Sequence, residues 1–211
     1  MKPLGRSFYE RNTQVVAFEL IGKILTLIQD GVVLSGKIVE TEAYFGAEDP
    51  ASHAYRGVTP RNRVMFGPAG FSYVYFTYGS HHCLNIVTER ADVAGAVLIR
   101  AVEPLSGVLA MRKRRSRAGD EELTNGPGKL TQAFGITREH SGTDLTEGPF
   151  CVVDEVGAGL KPVPTLHIQV TSRIGISRAK KLPLRFYLED NLFVSTQVKT
   201  IRRAASTGIT V

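Results

Sequence analysis

Cysteine is almost absent: Cys83 and Cys151 are the only two among 211 residues. They form no Cys-x-x-Cys pair, so neither a zinc ribbon nor a redox dithiol is supported. Two isolated thiols suit a reducing compartment as ordinary buried side chains. Long apolar runs are missing too. No stretch approaches the roughly 18 apolar residues that cross a bilayer. The start, Met1-Lys2-Pro3-Leu4-Gly5-Arg6, has charge but no apolar run behind it, unlike a secretory signal. The expectation is an intracellular protein with no membrane contact. Repeats, low-complexity tracts and linkers are also lacking. Residues 1–211 therefore read as one domain, with a core over about 8–198 and a weakly specified tail over 200–211.

What is present is a basic balance. Lys and Arg total 26 against 20 Asp and Glu, a formal net charge of +6. A basic chain of this size favours an anionic partner, nucleic acid first. Apolar residues make up 43% of the chain, enough for a real core. Asn12 and Thr13 can cap a helix whose apolar positions are Val15, Val16, Phe18, Leu20 and Ile21, with Gly22 behind it. Residues 24–28 read as a strand, Asp30-Gly31 as a two-residue hairpin turn, and Val32 onward as a long return strand ending near Tyr44. Residues 46–63 form a long polar loop, a common place for function. Residues 71–77 and 82–88 read as a hairpin around Tyr78-Gly79-Ser80. A strand over 94–102 is stopped by Pro104, and 105–115 reads as helix. Pro127 suits a first helical position and Gly135 the end of that helix. The remainder reads as strand and turn, with strands over 184–188 and 193–198 around an Asp190-Asn191 turn. This predicts an α+β fold: a single compact domain built on a curved antiparallel sheet, with a protruding β-hairpin and a few packed helices.

The richest stretch is Ile38-Val39-Glu40-Thr41-Glu42-Ala43-Tyr44. Side chains alternate along a strand, so Glu40, Glu42 and Tyr44 share one face. Two neighbouring carboxylates on a half-buried face resist desolvation and repel each other, which suits a site that needs a tuned acid. An edge strand with a solvated acidic face is the plainer alternative. Further along come Ala51-Ser52-His53, Thr59-Pro60-Arg61-Asn62-Arg63, Met65-Phe66, and Tyr73-Val74-Tyr75-Phe76-Thr77-Tyr78-Gly79. Then follow Cys83-Leu84-Asn85-Ile86, Val97-Leu98-Ile99-Arg100-Ala101-Val102-Glu103-Pro104, Asn125-Gly126-Pro127-Gly128-Lys129-Leu130, and Lys181-Leu182-Pro183-Leu184-Arg185-Phe186-Tyr187. In this order and spacing the chain resembles the alkyladenine (3-methyladenine) DNA glycosylase family, from about Phe8 to about Ser195.

The resemblance implies a monofunctional enzyme that flips alkylated or deaminated purines out of duplex DNA and hydrolyses the N-glycosidic bond. An abasic site is left behind. Glu42 matches the water-activating base and Arg100 the arginine that helps hold the water. Tyr44, His53 and Tyr75 match the aromatics that sandwich the flipped base, and stacking is worth roughly 1–3 kcal/mol per base. Asn85 matches the residue that obstructs the amine of normal guanine. Tyr78 matches the tyrosine that wedges into the minor groove. The family gives Glu40 no catalytic part, so it reads as structural. No metal or cofactor is implied. His81 and Cys83 share a strand face, but no third ligand is indicated. No lysine lies in the catalytic segment to form a Schiff base. The partner is double-stranded DNA with damaged purines, met by a monomer.

Candidate phosphate contacts are Arg61, Arg63, Lys129 at the head of a helix, Lys180 and Lys181. Arg114 and Arg115 belong to the cluster Arg112, Lys113, Arg114, Arg115 and Arg117, which reads equally well as a solvated helix face. The polar Ser80-His81-His82 departs from the larger apolar residues common in relatives and leaves the lesion preference open. Two other classes of function remain. One is a non-catalytic binder of damaged DNA or structured RNA, which needs neither Glu42 nor Arg100. The other is a two-carboxylate hydrolase of free nucleosides or sugars using Glu40 and Glu42, about 6.5–7 Å apart on one face.

Overall fold

The hairpin Asp30-Gly31 starts the sheet: both residues take positive φ (51° and 74°), as a tight turn with right-handed twist requires. It joins β1 (Ile24–Gln29) to β2 (Val32–Phe45). The computed structural model describes residues 2–77, 79–116, 118–154 and 166–196. The other elements are α1 (Arg6–Tyr9), α2 (Thr13–Glu19), β3 (Ser72–Thr77), β4 (His81–Val87), β5 (Gly95–Ser106), α3 (Val108–Arg114), α4 (Pro127–Phe134), β6 (Phe150–Val153), β7 (Ile168–Thr171) and β8 (Arg185–Leu188). The eight strands form one antiparallel sheet with path β3-β4-β5-β2-β1-β6. One edge of β2 pairs with β5 along its length. The other edge pairs first with β1 and then, over Glu40–Glu42, with β8. That split curls the sheet around the second half of β2. The result is a single α+β domain; beside the β3–β4 turn, Gly79, Ser80 and His81 are exposed.

Helices α2 and α4 form where their sequence signals lie. Asn12 Oδ1 accepts from the amides of Gln14 and Val15 at 3.0 and 3.4 Å and so caps α2. Pro127 occupies the first turn of α4, and Gly135 closes it at φ 71°. Val16 and Ala17 of α2 and Leu20 just after it join Leu130 and Phe134 of α4 and Ile38, Val39, Ala43, Leu84, Ile86 and Ile99 of the sheet in one buried cluster. Each large aliphatic or aromatic member contributes roughly 1.5–3 kcal/mol. On this core face of β2, Thr41 satisfies its hydroxyl on Ala17 O at 2.8 Å. Alternation then sends Glu40, Glu42 and Tyr44 to the opposite face.

Two expectations about the elements change. Pro104 does not end its strand, because β5 runs on to Ser106. Proline lies opposite Gly36 beside a register shift, where a missing N–H breaks no regular ladder. Helix α3 consequently starts later, after Gly107 at φ 74°, where a Cβ would stand 2.7 Å from Val33 O. Residues 193–196 are not a strand. They turn inward, and Ser195 reaches β2. Residues 197–198 of that predicted strand, Tyr78, Arg117 and the 200–211 tail lie outside the described residues. Among the described residues, no helix is long and apolar enough to cross a membrane.

Candidate active site

Arg100, near the middle of β5, is the extra residue of a bulge in that strand: Glu40 pairs with Ala101 and Thr41 with Ile99. One guanidinium therefore meets both carboxylates. Its Nε donates to Glu40 Oε1 at 2.8 Å, and its Nη1 stands 3.3 Å from Glu42 Oε2. The two glutamates share a face and an arginine, yet their environments differ.

Glu40 is saturated. Its Oε1 also accepts from Arg185 Nε at 2.7 Å and from Ser195 Oγ at 2.9 Å, and its Oε2 accepts from the Ser195 amide at 2.8 Å. Burial alone would raise its pKa. Arg100, Arg185 and the Ser195 amide outweigh it and hold the group below the ordinary carboxylate value. Four hydrogen bonds commit Glu40 to Arg100, Arg185 and Ser195.

Glu42 is held more lightly. Tyr44 Oη donates to Oε2 at 2.8 Å and the Ile174 amide to Oε1 at 2.7 Å. Here burial dominates, joined by Glu40, over Arg100, Ile174 and Tyr44, and the pKa is pushed up. A raised carboxylate is a stronger base while it stays ionised. The same environment raises the Tyr44 phenol, through burial and the Glu42 charge, so this hydroxyl stays a donor.

In front of this pair lies a cavity of about 480 Å³, lined among others by Tyr44, His53, Tyr75, Asn85, Arg100 and Ile174. Five of the residues singled out in the sequence thus meet at one cavity. Glu42 itself is fully buried and abuts the cavity through Tyr44, Arg100 and Ile174. His53 and Tyr75 meet edge to face, 4.6 Å between centroids at 72°, so no slot opens between those two rings. His53 Nδ1 shares a hydrogen bond with the Tyr73 hydroxyl at 3.0 Å, and partial burial lowers its pKa, with Arg61 adding to the effect. The loop that carries His53 is pinned by Asn62 Nδ2, which donates to His53 O at 2.8 Å and Gly57 O at 2.9 Å. Asn85 Nδ2 donates to Tyr73 O at 3.0 Å, which turns the amide oxygen away from that strand. Cys83 also lines the cavity, its thiol pKa raised by burial.

The candidate phosphate contacts are scattered. Arg61 is exposed, lies 5.2 Å from the Tyr75 ring centroid and reaches Phe76 O. Arg63, Lys180 and Lys181 are exposed. Lys129 donates to Asn125 Oδ1 at 2.8 Å. Arg114 Nη1 donates to Ala133 O at 3.1 Å, and Arg115 Nη1 to Gln132 Oε1 at 2.6 Å, so both hold the last turn of α4. Arg112 pairs with Asp120 on the surface. Among the described residues, no group of three or more His, Cys, Asp or Glu is placed to hold a metal ion.

Sequence reasoning assigned no part to Arg185, Ser195, Ile174, Arg173 or Asp49. Arg185 carried a readable signal: a charge inside the apolar strand Arg185–Leu188, where burial demands a partner. Ile174 acts through its backbone amide, which no side-chain pattern can show.

The methylpurine-DNA glycosylase family model matches residues 7–192. A protein of Carboxydothermus hydrogenoformans is 48% identical over 192 residues, covering 91% of this chain and 98% of its own length. One of Chlorobium luteolum is 48% identical, covering 92% and 97%. One of Methanoculleus marisnigri is 48% identical, covering 91% and 98%. Each bears the name "Putative 3-methyladenine DNA glycosylase".

Proposed function

The chain belongs to the methylpurine-DNA glycosylase family, and on that premise we propose that it excises alkylated or deaminated purines from duplex DNA by hydrolysis. The observation that carries the reading is the Glu42 carboxylate, raised by burial, set behind an aromatic-lined cavity and beside Arg100. A base stacked in a duplex is out of reach, so the damaged nucleotide is rotated into the cavity. Tyr44 stacks on one side of the base and the His53–Tyr75 pair on the other. Methylated purines carry positive charge, which strengthens contact with aromatic faces. Asn85 presents its amide to the base edge and rejects the amine of undamaged guanine.

The reacting water sits between Arg100 and Glu42. Their 3.3 Å separation is loose for an ion pair, and a water bonded to both would complete a triangle at ordinary hydrogen-bond lengths. Glu42 takes its proton as the sugar develops oxocarbenium character, and the carboxylate also offsets that positive charge. Arg100 keeps Glu42 ionised. Arg185, Ser195 and Glu40 hold Arg100 in place. Tyr78 fills the gap in the duplex, with Arg61, Arg63, Lys129, Lys180 and Lys181 on phosphates. Among the described residues no lysine lines the cavity, which supports an abasic site in an uncut strand as the product.

The test is a labelled duplex carrying one hypoxanthine or one 7-methylguanine, incubated with the protein and then treated with alkali. Base release with strand scission only after alkali is expected. The Glu42→Gln protein should bind the same duplex and release no base. Glu42→Gln turnover within about tenfold of wild type, a barrier change of only ~1.4 kcal/mol, would remove Glu42 as the base. Scission without alkali would rule out the monofunctional reaction.

A further inference from the structure

Behind the site lies a buried ion pair that the reaction just described does not use. Asp49 and Arg173 are 1% and 5% exposed. Arg173 grips the carboxylate with both ends of its fork: Nη1 to Oδ2, and Nη2 to Oδ1 at 2.8 Å. Nη1 also donates to Ala43 O at 2.9 Å. Asp49 in turn accepts from the Phe45 amide at 3.2 Å and the Ala51 amide at 3.1 Å. The pair thus ties the end of β2, the long loop after it and the segment after β7 to one point.

Its position relative to Glu42 is specific. The Arg173 guanidinium lies 4.6 Å from the Tyr44 ring centroid, and Tyr44 bonds Glu42 Oε2. The residue after Arg173 is Ile174, whose amide bonds Glu42 Oε1. One arginine therefore touches, by its face or by its own chain, the donors to both oxygens. Buried ion pairs add little net stability, because desolvation offsets the attraction. A planar, bidentate fork is, however, well suited to fixing geometry.

We infer that Asp49 and Arg173 are positioning residues for the Glu42 carboxylate, holding the Ile174 amide and the Tyr44 hydroxyl against its two oxygens. The inference rests on Glu42 being the group that activates water. Several groups face Glu42: Tyr44 and Glu40 from β2, Arg100 from β5, Cys83 from β4 and the Ile174 amide from the segment after β7. Arg100, Tyr44 and Ile174 favour the carboxylate, and burial and Glu40 oppose it. Loosening the Ile174 amide removes one of the favourable contacts. Glu42 should then hold its proton to higher pH.

The experiment is the pH dependence of single-turnover excision, with lesion-duplex affinity measured alongside. Arg173→Lys is the main variant, since it keeps the charge and loses the fork and the flat face. Its acid limb should move up by roughly one pH unit, the size expected for a hydrogen bond to a charged group. Excision should fall about tenfold below the limb and return close to wild type above it, with duplex affinity little changed. A rate lowered by the same factor at every pH, with the limb unmoved, would show a structural role and overturn the inference. Asp49→Asn gives a second measurement should Arg173→Lys fail to fold. Lost positioning moves its limb up. Removal of a negative charge alone would move the limb down, and that result also overturns the inference. Failure of both variants to fold assigns the pair to the core and has the same consequence. If the wild type shows no acid limb, or Glu42→Gln stays active, the Glu42 reading itself fails. An unmoved limb with Glu42→Gln inactive fails only the positioning role.

Discussion

Replacing each strand glutamate by glutamine should produce opposite outcomes. Glu40 accepts four hydrogen bonds from Arg100, Arg185 and Ser195, with both guanidiniums nearly buried. Glu40→Gln removes the charge that pays for burying Arg185 and turns an amide N–H₂ toward donors. Breaking a buried pair from one side costs about 3–5 kcal/mol, and in a chain of 211 residues each kcal/mol moves Tm by about 2–4 °C. A fall on the order of 10 °C is expected. Glu42→Gln keeps one acceptor oxygen for the Ile174 amide, turns its N–H₂ toward the Tyr44 oxygen, which can accept, and relieves the desolvation of a charge. Its folded pKa lies above the ordinary 4.5, so its contribution to stability is complete below that value and is lost as pH rises through the folded pKa. At neutral pH the neutral amide should leave Tm unchanged within a few degrees, or higher, while base release disappears. Glu40 has the reverse sign. Its folded pKa lies below 4.5, so its contribution is present above that value and is lost as pH falls through the folded pKa. Wild type and Glu40→Gln should converge in stability in acid. Thermal melts from neutral to acid pH, with excision assays on the same preparations, decide the matter. Equal losses of Tm in the two variants at neutral pH would refute this division between a structural and a reactive carboxylate.

Other outcomes are expected of the proposed reaction and of the surface charges. Asn85→Ser should release the amide that Tyr73 O holds and open the cavity to guanine. Guanine release from undamaged duplex should rise roughly tenfold or more, and release at background with lesion excision intact would end the gatekeeper role. Tyr78→Ala, tested by excision of one lesion in paired and mismatched contexts, should impair the stable pair most, since unstacking costs less at a mismatch. Tyr78→Phe should be mild, and equal losses in every context would assign the ring another role. Charge reversal at Lys180 and Lys181 should lower the slope of log affinity against log salt by about one per lost phosphate contact. The same change at Arg114 and Arg115 should lower Tm instead, because those guanidiniums hold the last turn of α4. A reduced salt slope at Arg114 and Arg115 with Tm unchanged would place DNA on that face.

Much of the fold was legible because its signals are local. Asn12 caps the helix beside it, Asp30-Gly31 turns the chain within two residues, and Pro127 and Gly135 bracket α4. Alternation by itself puts Glu40, Glu42 and Tyr44 on one face. It also makes that face chemically uncomfortable, which marks the strand before any partner is known. Pro104 and residues 193–196 were misread because propensity describes a chain in isolation, whereas a bulge and an inward turn depend on what the chain packs against. Which carboxylate is saturated and which is raised was not readable in sequence. The slip at Glu40–Thr41 lets one Arg100 serve both. Arg185, Ser195 and Ile174 arrive from 145, 155 and 132 residues away. A side chain's proton affinity is set by the water it loses and the charges brought beside it. The sequence therefore determined the types of groups and their shared face. Only the closing of β8 and the segment after β7 onto β2 decided that Glu40 lies between two arginines with its pKa lowered, while Glu42, beside the cavity, has its pKa raised.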